Sequence, residues 1–262
     1  MPDSADKIFT LKYIVMKKSI LIILILYSIT AAAQFHMDGS IPDTIKDGGF
    51  TSKYGEQTIQ GTFKDYKKTG EWFMYYPSGL VHVYSQYKND KREGFFFMAD
   101  KRGSITLQEH YKNGELNGDK IKFDIAGRPT LKETYKNGKL DGVRIMYYEG
   151  LGKKQEEAMY KNGLKNGITK WYGKNGKIFA EYEYKDGLFN GVQKYYYPNG
   201  KLKSEKYFEN NLANGPYKEY YENGNIKVEG KFVKGLKSGK WKEYDEKGEV
   251  IKQTKYKKGV AK

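Results

Sequence analysis

The chain contains no cysteine, only six prolines and only three histidines in 262 residues. Without cysteine there is no disulfide framework, no thiolate metal site, no thiol nucleophile and no lipid-anchored N-terminus. The histidines (His36, His82 and His110) share no ligand spacing, so no metal centre is expected. Hydrophobic residues make up 38%, too few for a multi-span membrane protein or for an enzyme built around one thick core. There is no Gly-x-Ser-x-Gly elbow and no phosphate loop, and glycine serves here as turn punctuation. Catalytic, cofactor-binding and metal-binding residues are therefore all expected to be absent. What is abundant is aromatic and basic: 25 Tyr, 13 Phe, 3 Trp and 30 Gly, with 47 Lys+Arg against 32 Asp+Glu. Such an aromatic content excludes disorder and points to a thin β structure rich in Tyr and Gly.

Residues 1–33 read as an N-terminal extension and signal peptide. Met16-Lys17-Lys18-Ser19 is a positive start, and Met16 is a candidate first residue. The apolar run from Ile20 follows, and Ala31-Ala32-Ala33 closes it with small residues. The run from Ile20 to Ala33 is 14 residues long, short of the ~20 needed to span a bilayer. Cleavage after Ala33 and export to the periplasm, the cell surface or the medium are expected. Removing residues 1–33 takes away Lys7, Lys12, Lys17, Lys18, Asp3 and Asp6, leaving 43 basic and 30 acidic residues, a net +13. A basic exported chain meets anionic surfaces, so the partner is expected to be a protein or an anionic envelope component, lipid head groups or acidic glycan. It rarely meets cytoplasmic nucleic acid.

From residue 63 the chain beats with a period of 24. An aromatic stands at Phe63, Tyr87, Tyr111, Tyr135, Tyr160, Tyr184, Phe208, Phe232 and Tyr256, every step being 24 except one of 25. One glycine column runs Gly70, Gly94, Gly118, Gly142, Gly167, Gly191, Gly215 and Gly239, and a second runs from Gly79 to Gly248. Each unit reads as a β-hairpin. Asn113-Gly114, Asn137-Gly138, Asn162-Gly163 and Asp186-Gly187 supply the positive φ angles of a two-residue turn, and Tyr-rich runs of strand length lie between turns. The fold class is thus all-β: an elongated antiparallel meander of about 16 strands in eight repeats over 63–262, with a short basic C-terminal cap and residues 34–62 as an N-terminal cap or linker.

Five places after the first glycine stand Tyr75, Ala99, Phe123, Tyr147, Tyr172, Tyr196, Tyr220 and Tyr244, and two places after the second stand Val81, Ile105, Pro129, Lys154, Ile178, Leu202, Ile226 and Val250. These are the expected core ladder. Trp72, Phe96, Tyr217 and Trp241, two places after the first glycine, cannot share its face in a strictly alternating strand. Either a bulge near each first glycine or two covered faces would reconcile the columns.

The pattern Tyr-Lys-Asn-Gly-x-x-x-Gly-x-x-x-x-Tyr-Tyr-x-x-Gly-Lys resembles the variant class of MORN repeats, as in YwqK-type antitoxin-like proteins. The match is best over Tyr135–Gly142, Tyr160–Gly176, Tyr184–Gly200 and Phe208–Gly224. The resemblance implies a single-layer, groove-like hairpin stack that serves protein or membrane contacts without catalysis.

One column changes character along the chain. Three places after the first glycine it reads Phe73, Phe97, Ile121, Ile145, then Lys170, Lys194, Lys218, Lys242. Those four lysines are the candidate binding row, ~30 Å long if equivalent strands lie ~10 Å apart. The plainer alternative is a solvated lysine face, with the apolar half covered by residues 34–62. Glu157, Glu181, Glu205 and Glu229 recur in the same rhythm and read as cross-strand charge partners rather than catalysts. The function expected is a non-catalytic exported binding or scaffold surface. The alternatives are a glycan or cell-wall binder presenting Trp72, Trp171 and Trp241 to sugar rings, and a YwqK-type antitoxin or immunity protein.

Overall fold

The structure is a computed structural model that describes residues 44–262. The signal segment, residues 34–43 and His36 lie outside the described residues. The chain divides into two units at Asp43/Thr44, and the second is taken here by itself. It is one antiparallel sheet of twenty strands with no helix among the described residues. Every strand pairs with its neighbours in the chain, from Gly48–Tyr54 on Gln57–Lys64 to Val250–Lys257 on Val260–Ala261. Glu115–Leu116 and Gly118–Phe123 are two halves of one strand position, both facing Ile105–Lys112.

The 24-residue beat has a simple local origin. In the unit starting at Ile178, an eight-residue strand, Ile178–Lys185, turns through Asp186-Gly187 into a nine-residue strand, Leu188–Tyr196. A five-residue loop then leads to Leu202. Asp186 and Gly187 have φ of 51° and 83°, the two successive positive angles of a type I′ turn, which Asn or Asp followed by Gly adopts at least cost. At the other edge Tyr197 and Lys201 close the loop, with Gly200 at φ 90° and the Asn199 side chain accepting from the Lys201 amide at 2.9 Å. Successive hairpins are stitched on both edges. The Gly187 amide donates to the Lys165 carbonyl at 2.8 Å, and Asn211 to Phe189, Gly235 to Ala213 and Gly259 to Lys237 repeat the contact one, two and three hairpins on. On the loop edge the Tyr148, Tyr197 and Tyr221 hydroxyls donate to carbonyls of the next unit at 2.6–2.7 Å.

The bulge is real. Tyr184 pairs with Phe189 but Tyr182 pairs with Gln193, so Asn190-Gly191-Val192 oppose the single residue Glu183, and Gly191 takes φ 119°. The same two-residue excess recurs wherever a first glycine follows a hairpin turn. It bends the strand and puts positions two and four after the glycine on one face, positions three and five on the other. The deep core is on the first, the tryptophan face: Ile59, Trp72 and Met74 are fully buried there with Val83, and Phe96 and Trp241 nearly so. The expected core ladder is corrected accordingly. Tyr172, Tyr196, Tyr220 and Tyr244 are half-buried on the opposite, ladder face, and Val250 is 53% exposed.

A single layer can bury tryptophan because neighbours on the same face surround it. The Trp72 indole lies on Gly61, where a Cβ would fall 2.2 Å from the ring, with Phe50, Phe63 and Tyr87 around its edge at 5.2–6.0 Å. Trp241 lies on Gly230 in the same way, with Tyr217, Phe232 and Tyr256 about it. Residues 48–64 are not a linker or a cover: Gly48–Tyr54 and Gln57–Lys64 extend the sheet at its first edge. The apolar half of the ladder face is instead filled by its own cross-strand rings, Phe73 and Phe97 flanking Tyr84 at 5.2 and 5.3 Å.

Candidate functional site

The four candidate lysines do stand in one row, but they do not stand alone. The strand register interleaves them with the recurring glutamates: Glu157 opposite Lys170, Lys170 opposite Glu181, and so on through Lys194, Glu205, Lys218, Glu229 and Lys242. Lys170 reaches Glu181 at 3.9 Å and Lys242 reaches Glu229 at 3.6 Å. Each glutamate also accepts a tyrosine hydroxyl, Tyr196 on Glu181 at 2.8 Å, Tyr220 on Glu205 at 2.9 Å and Tyr244 on Glu229 at 2.6 Å. These carboxylates and partial burial push the Tyr196 and Tyr220 phenols up to about 12, burial being the larger cause. Four lysines against four glutamates make the row charge-neutral. Its field falls off with distance far faster than that of four unpaired cations. The eight glycines of the first column carry the bulges with positive φ, and at Gly94, Gly142, Gly191 and Gly215 a Cβ would also collide with the side chain opposite.

Two features were not read from the sequence. The first is on the tryptophan face, where charged residues replace rings in the middle of the sheet. Glu109, 5% exposed, pairs with Lys120 at 2.9 Å and accepts the Tyr111 hydroxyl at 2.6 Å. Arg144 follows, with Glu133 at 3.2 Å and Glu156 at 3.9 Å, and Lys165 closes on Glu156 at 2.7 Å. Burial together with Glu109 and Glu133 raises the Tyr111 and Tyr135 phenols well above their ordinary range. The face also carries a repeated cation over rings: Lys68 on Tyr87 at 4.8 Å, Arg92 on Phe96 at 4.6 Å, Lys165 on Tyr184 at 5.2 Å, Lys237 on Trp241 at 4.3 Å.

The second is an exposed aliphatic row beside the hairpin turns. The residue that follows each hairpin turn is Lys67, Lys91, Glu115 or Lys139 in the first half, and Leu164, Leu188, Leu212, Leu236 and then Val260 in the second. All five are exposed, by 39% to 64%. Leu164, Leu212 and Leu236 rest part of their side chains on the turn of the next hairpin, at Gly187, Gly235 and Gly259, and leave the rest to solvent. The switch from charge to leucine was visible in the column and falls at the one-residue insertion near Gly150, as the lysine switch does.

No chemistry of bond making is assembled around these features. His82 stacks on Tyr76 at 4.4 Å and shares a hydrogen bond with Gln57, and His110 lies against Phe95, far along the sheet from one another's ring partners. No group of three His, Asp or Glu with metal-holding geometry occurs among the described residues. Trp72 and Trp241 are too deeply buried to offer a ring face, and Trp171 lies under Lys165 at 5.3 Å.

A stack of like hairpins, each touching only its neighbours, with two chemically different faces, defines an open β repeat protein. The family model described as the MORN repeat variant matches five segments, residues 68–89, 165–186, 189–210, 213–234 and 237–258, and the chain belongs to that family. The remaining units, between 90 and 164, keep the hairpin and the bulge but replace ring positions with the charged network. No curated protein matches the chain. Repeats of this kind make proteins that bind other molecules.

Proposed function

We propose that the chain is an exported, non-catalytic binding protein whose partner is another protein, met in the periplasm, at the cell surface or outside the cell. The observation that carries this reading is the aliphatic row. Five side chains two strand spacings apart form a file about 38 Å long, and monomeric surfaces rarely expose aliphatic residues in register. Sugar recognition calls for flat ring faces in the open, and the tryptophans here are buried or covered by lysine. The balanced ladder beside the row offers hydrogen bonds and paired charges rather than one strong field, which suits a protein surface better than a lipid head-group layer. The lysine row is read as part of that polar rim.

The test uses the mature chain, beginning at Gln34, as bait in an envelope fraction, with a partner then purified and titrated. Fully burying a leucine contributes about 1.5–3 kcal/mol, so covering the exposed half of each contributes about 1 kcal/mol. Changing Leu164, Leu188, Leu212 and Leu236 together to Ser should weaken binding by roughly 10³ while leaving the circular dichroism unchanged. Undiminished binding by that variant would dismiss the row as the contact. N-terminal sequencing of protein from the native host checks export, and retention of Ile20–Leu26 in the mature chain would overturn it.

A further inference from the structure

We propose that the C-terminal end of the tryptophan face is a recognition site for a carboxylate of the protein partner, received between Lys206 and Lys237. The proposal deepens the reading of a protein-binding surface and rests on it. A cavity of about 400 Å³ opens there over Tyr217, Phe232 and Trp241, with both lysines in its wall. Two carboxylates share that wall, and each is already paired: Glu219 with Lys227 at 2.9 Å, and Glu243 with Lys252 at 3.4 Å. Lys206 and Lys237 have no carboxylate within 4.0 Å among the described residues. Lys206 instead lies over Phe232 at 5.1 Å and over Phe208 and Tyr217 at 5.7 Å, and Lys237 lies over Trp241 at 4.3 Å and Tyr256 at 5.1 Å.

The repeat itself supplies the comparison that identifies the ligand. Lys165 occupies the position of Lys237 three units earlier and sits over Tyr184 as Lys237 sits over Tyr256, while the second ring comes from a different position in each case, Trp171 four places after its glycine and Trp241 two places after its own. There the cradle is completed by Glu156 at 2.7 Å. Three units on, the cross-strand pair Glu156 and Trp171 is replaced by Val228 and Glu243, and Glu243 is taken by Lys252, so the cation and its tyrosine are kept while its ion pair is lost. Lys206 breaks the pattern in a second way. Its row carries Glu109, Lys120, Glu133 and Arg144 in alternating sign in the middle of the sheet, whereas the cross-strand neighbours of Lys206 are Gln193 and Tyr217. Two uncompensated cations thus face one cavity.

Burial without a counter-ion disfavours the charged form, and the Lys206 ammonium is accordingly held below its ordinary range. An entering carboxylate reverses that penalty. Because the chain's own Glu156 shows a single carboxylate meeting the lysine of this repeat position, a glutamate or aspartate side chain of the partner is the matching group. Val228 and Phe232 receive its aliphatic stem.

The test titrates hexaglutamate into the full chain by calorimetry. Saturable binding is expected. Lys206→Gln with Lys237→Gln should weaken it about 100-fold, since two hydrogen bonds from charged donors are lost together. Val228→Glu should weaken it comparably by supplying the missing carboxylate from within. If circular dichroism shows that the glutamate at 228 disturbs the sheet, the lysine pair decides alone. Lys194→Gln with Lys218→Gln removes equal charge from the other face and should change affinity less than twofold. Equal loss from both lysine pairs, undiminished binding by a folded Val228→Glu chain, or no hexaglutamate binding would overturn the site. Tighter binding of an oligouronate than of hexaglutamate would overturn the assignment to a protein carboxylate. A captured partner that still binds the Lys206/Lys237 variant, but not the four-leucine variant, would remove this site and leave the binding function standing.

Discussion

Gly61→Ala places one methyl group against the best-packed ring in the molecule. The added carbon would fall 2.2 Å from Cδ2, 2.3 Å from Cε2 and 2.6 Å from Cε3 of Trp72, far inside contact distance. Gly61 does not have a left-handed φ, so the whole effect is steric. Trp72 has nowhere to withdraw, being fully buried among Phe50, Phe63 and Tyr87. Overpacking a core costs about 1–3 kcal/mol, and expelling a buried aromatic about 3–5 kcal/mol, so a loss of about 2–4 kcal/mol is expected. With a urea slope of about 1–3 kcal/mol/M, the midpoint should fall by roughly 1–2 M. Gly230→Ala repeats the experiment at the other end, where the carbon would fall 2.2 Å from Trp241. Gly49→Ala is the control, since nothing lies within 4 Å of its Cβ and its backbone is ordinary; its change should stay within about 0.5 kcal/mol. Urea unfolding followed by tryptophan fluorescence reads the midpoints. Hydrogen exchange should show the damage confined to 57–75 in one variant and 226–244 in the other, because distant repeats do not touch. Equal midpoints for the changes at 61 and 49 would refute the packing of Trp72 on its glycine.

Replacing Lys170, Lys194, Lys218 and Lys242 together by Gln leaves four glutamates without counter-charge. At 0.2–1 kcal/mol for an exposed pair, a loss of roughly 1–3 kcal/mol is expected at low salt and less at high salt; no loss at low salt would argue against the ladder. Tyr196, Tyr217 and Tyr220 are held up to about 12, against 10 unfolded. Between those values the unfolded chain has released protons that the folded chain keeps, so the stabilisation is complete below pH 10 and lost as pH rises toward 12. Urea midpoints that stay flat from pH 9.5 to 11.5 would contradict the raised phenols. Deleting residues 184–207 rejoins equivalent columns and should leave a folded sheet, whereas removing only twelve residues destroys register locally; equal damage by circular dichroism would count against the repeat.

The hairpins, their turns and the 24-residue beat were legible because Asn-Gly and Asp-Gly fix the backbone locally, and the need for a bulge followed from two columns that alternation cannot place together. What could not be read was the size of that bulge. Its two-residue excess sets which strand positions face each other, and so decides that Glu181 falls between Lys170 and Lys194. The lysines and glutamates were both seen as columns, but the register that turns them into one neutral ladder is tertiary. The tryptophan-face charges were hidden for the same reason: Glu109, Lys120, Glu133 and Arg144 belong to two different columns and meet only across strands. The leucine switch at 164 and the valine at 228 were present in the letters. Each shows only when the eight units are compared position by position.

The connectivity has a mechanical consequence. Since the strand ladders run from one hairpin to the next along the chain, a pull applied at the two ends of the sheet runs along its hydrogen bonds rather than across them. Such a load opens bonds one at a time, the way a zipper yields, instead of shearing a whole strand at once. Each 24-residue unit then releases up to roughly 80 Å of chain. A partner gripping the leucine file or the C-terminal cradle would bridge several units and so act as a clasp, raising the force at which the sheet begins to pay out.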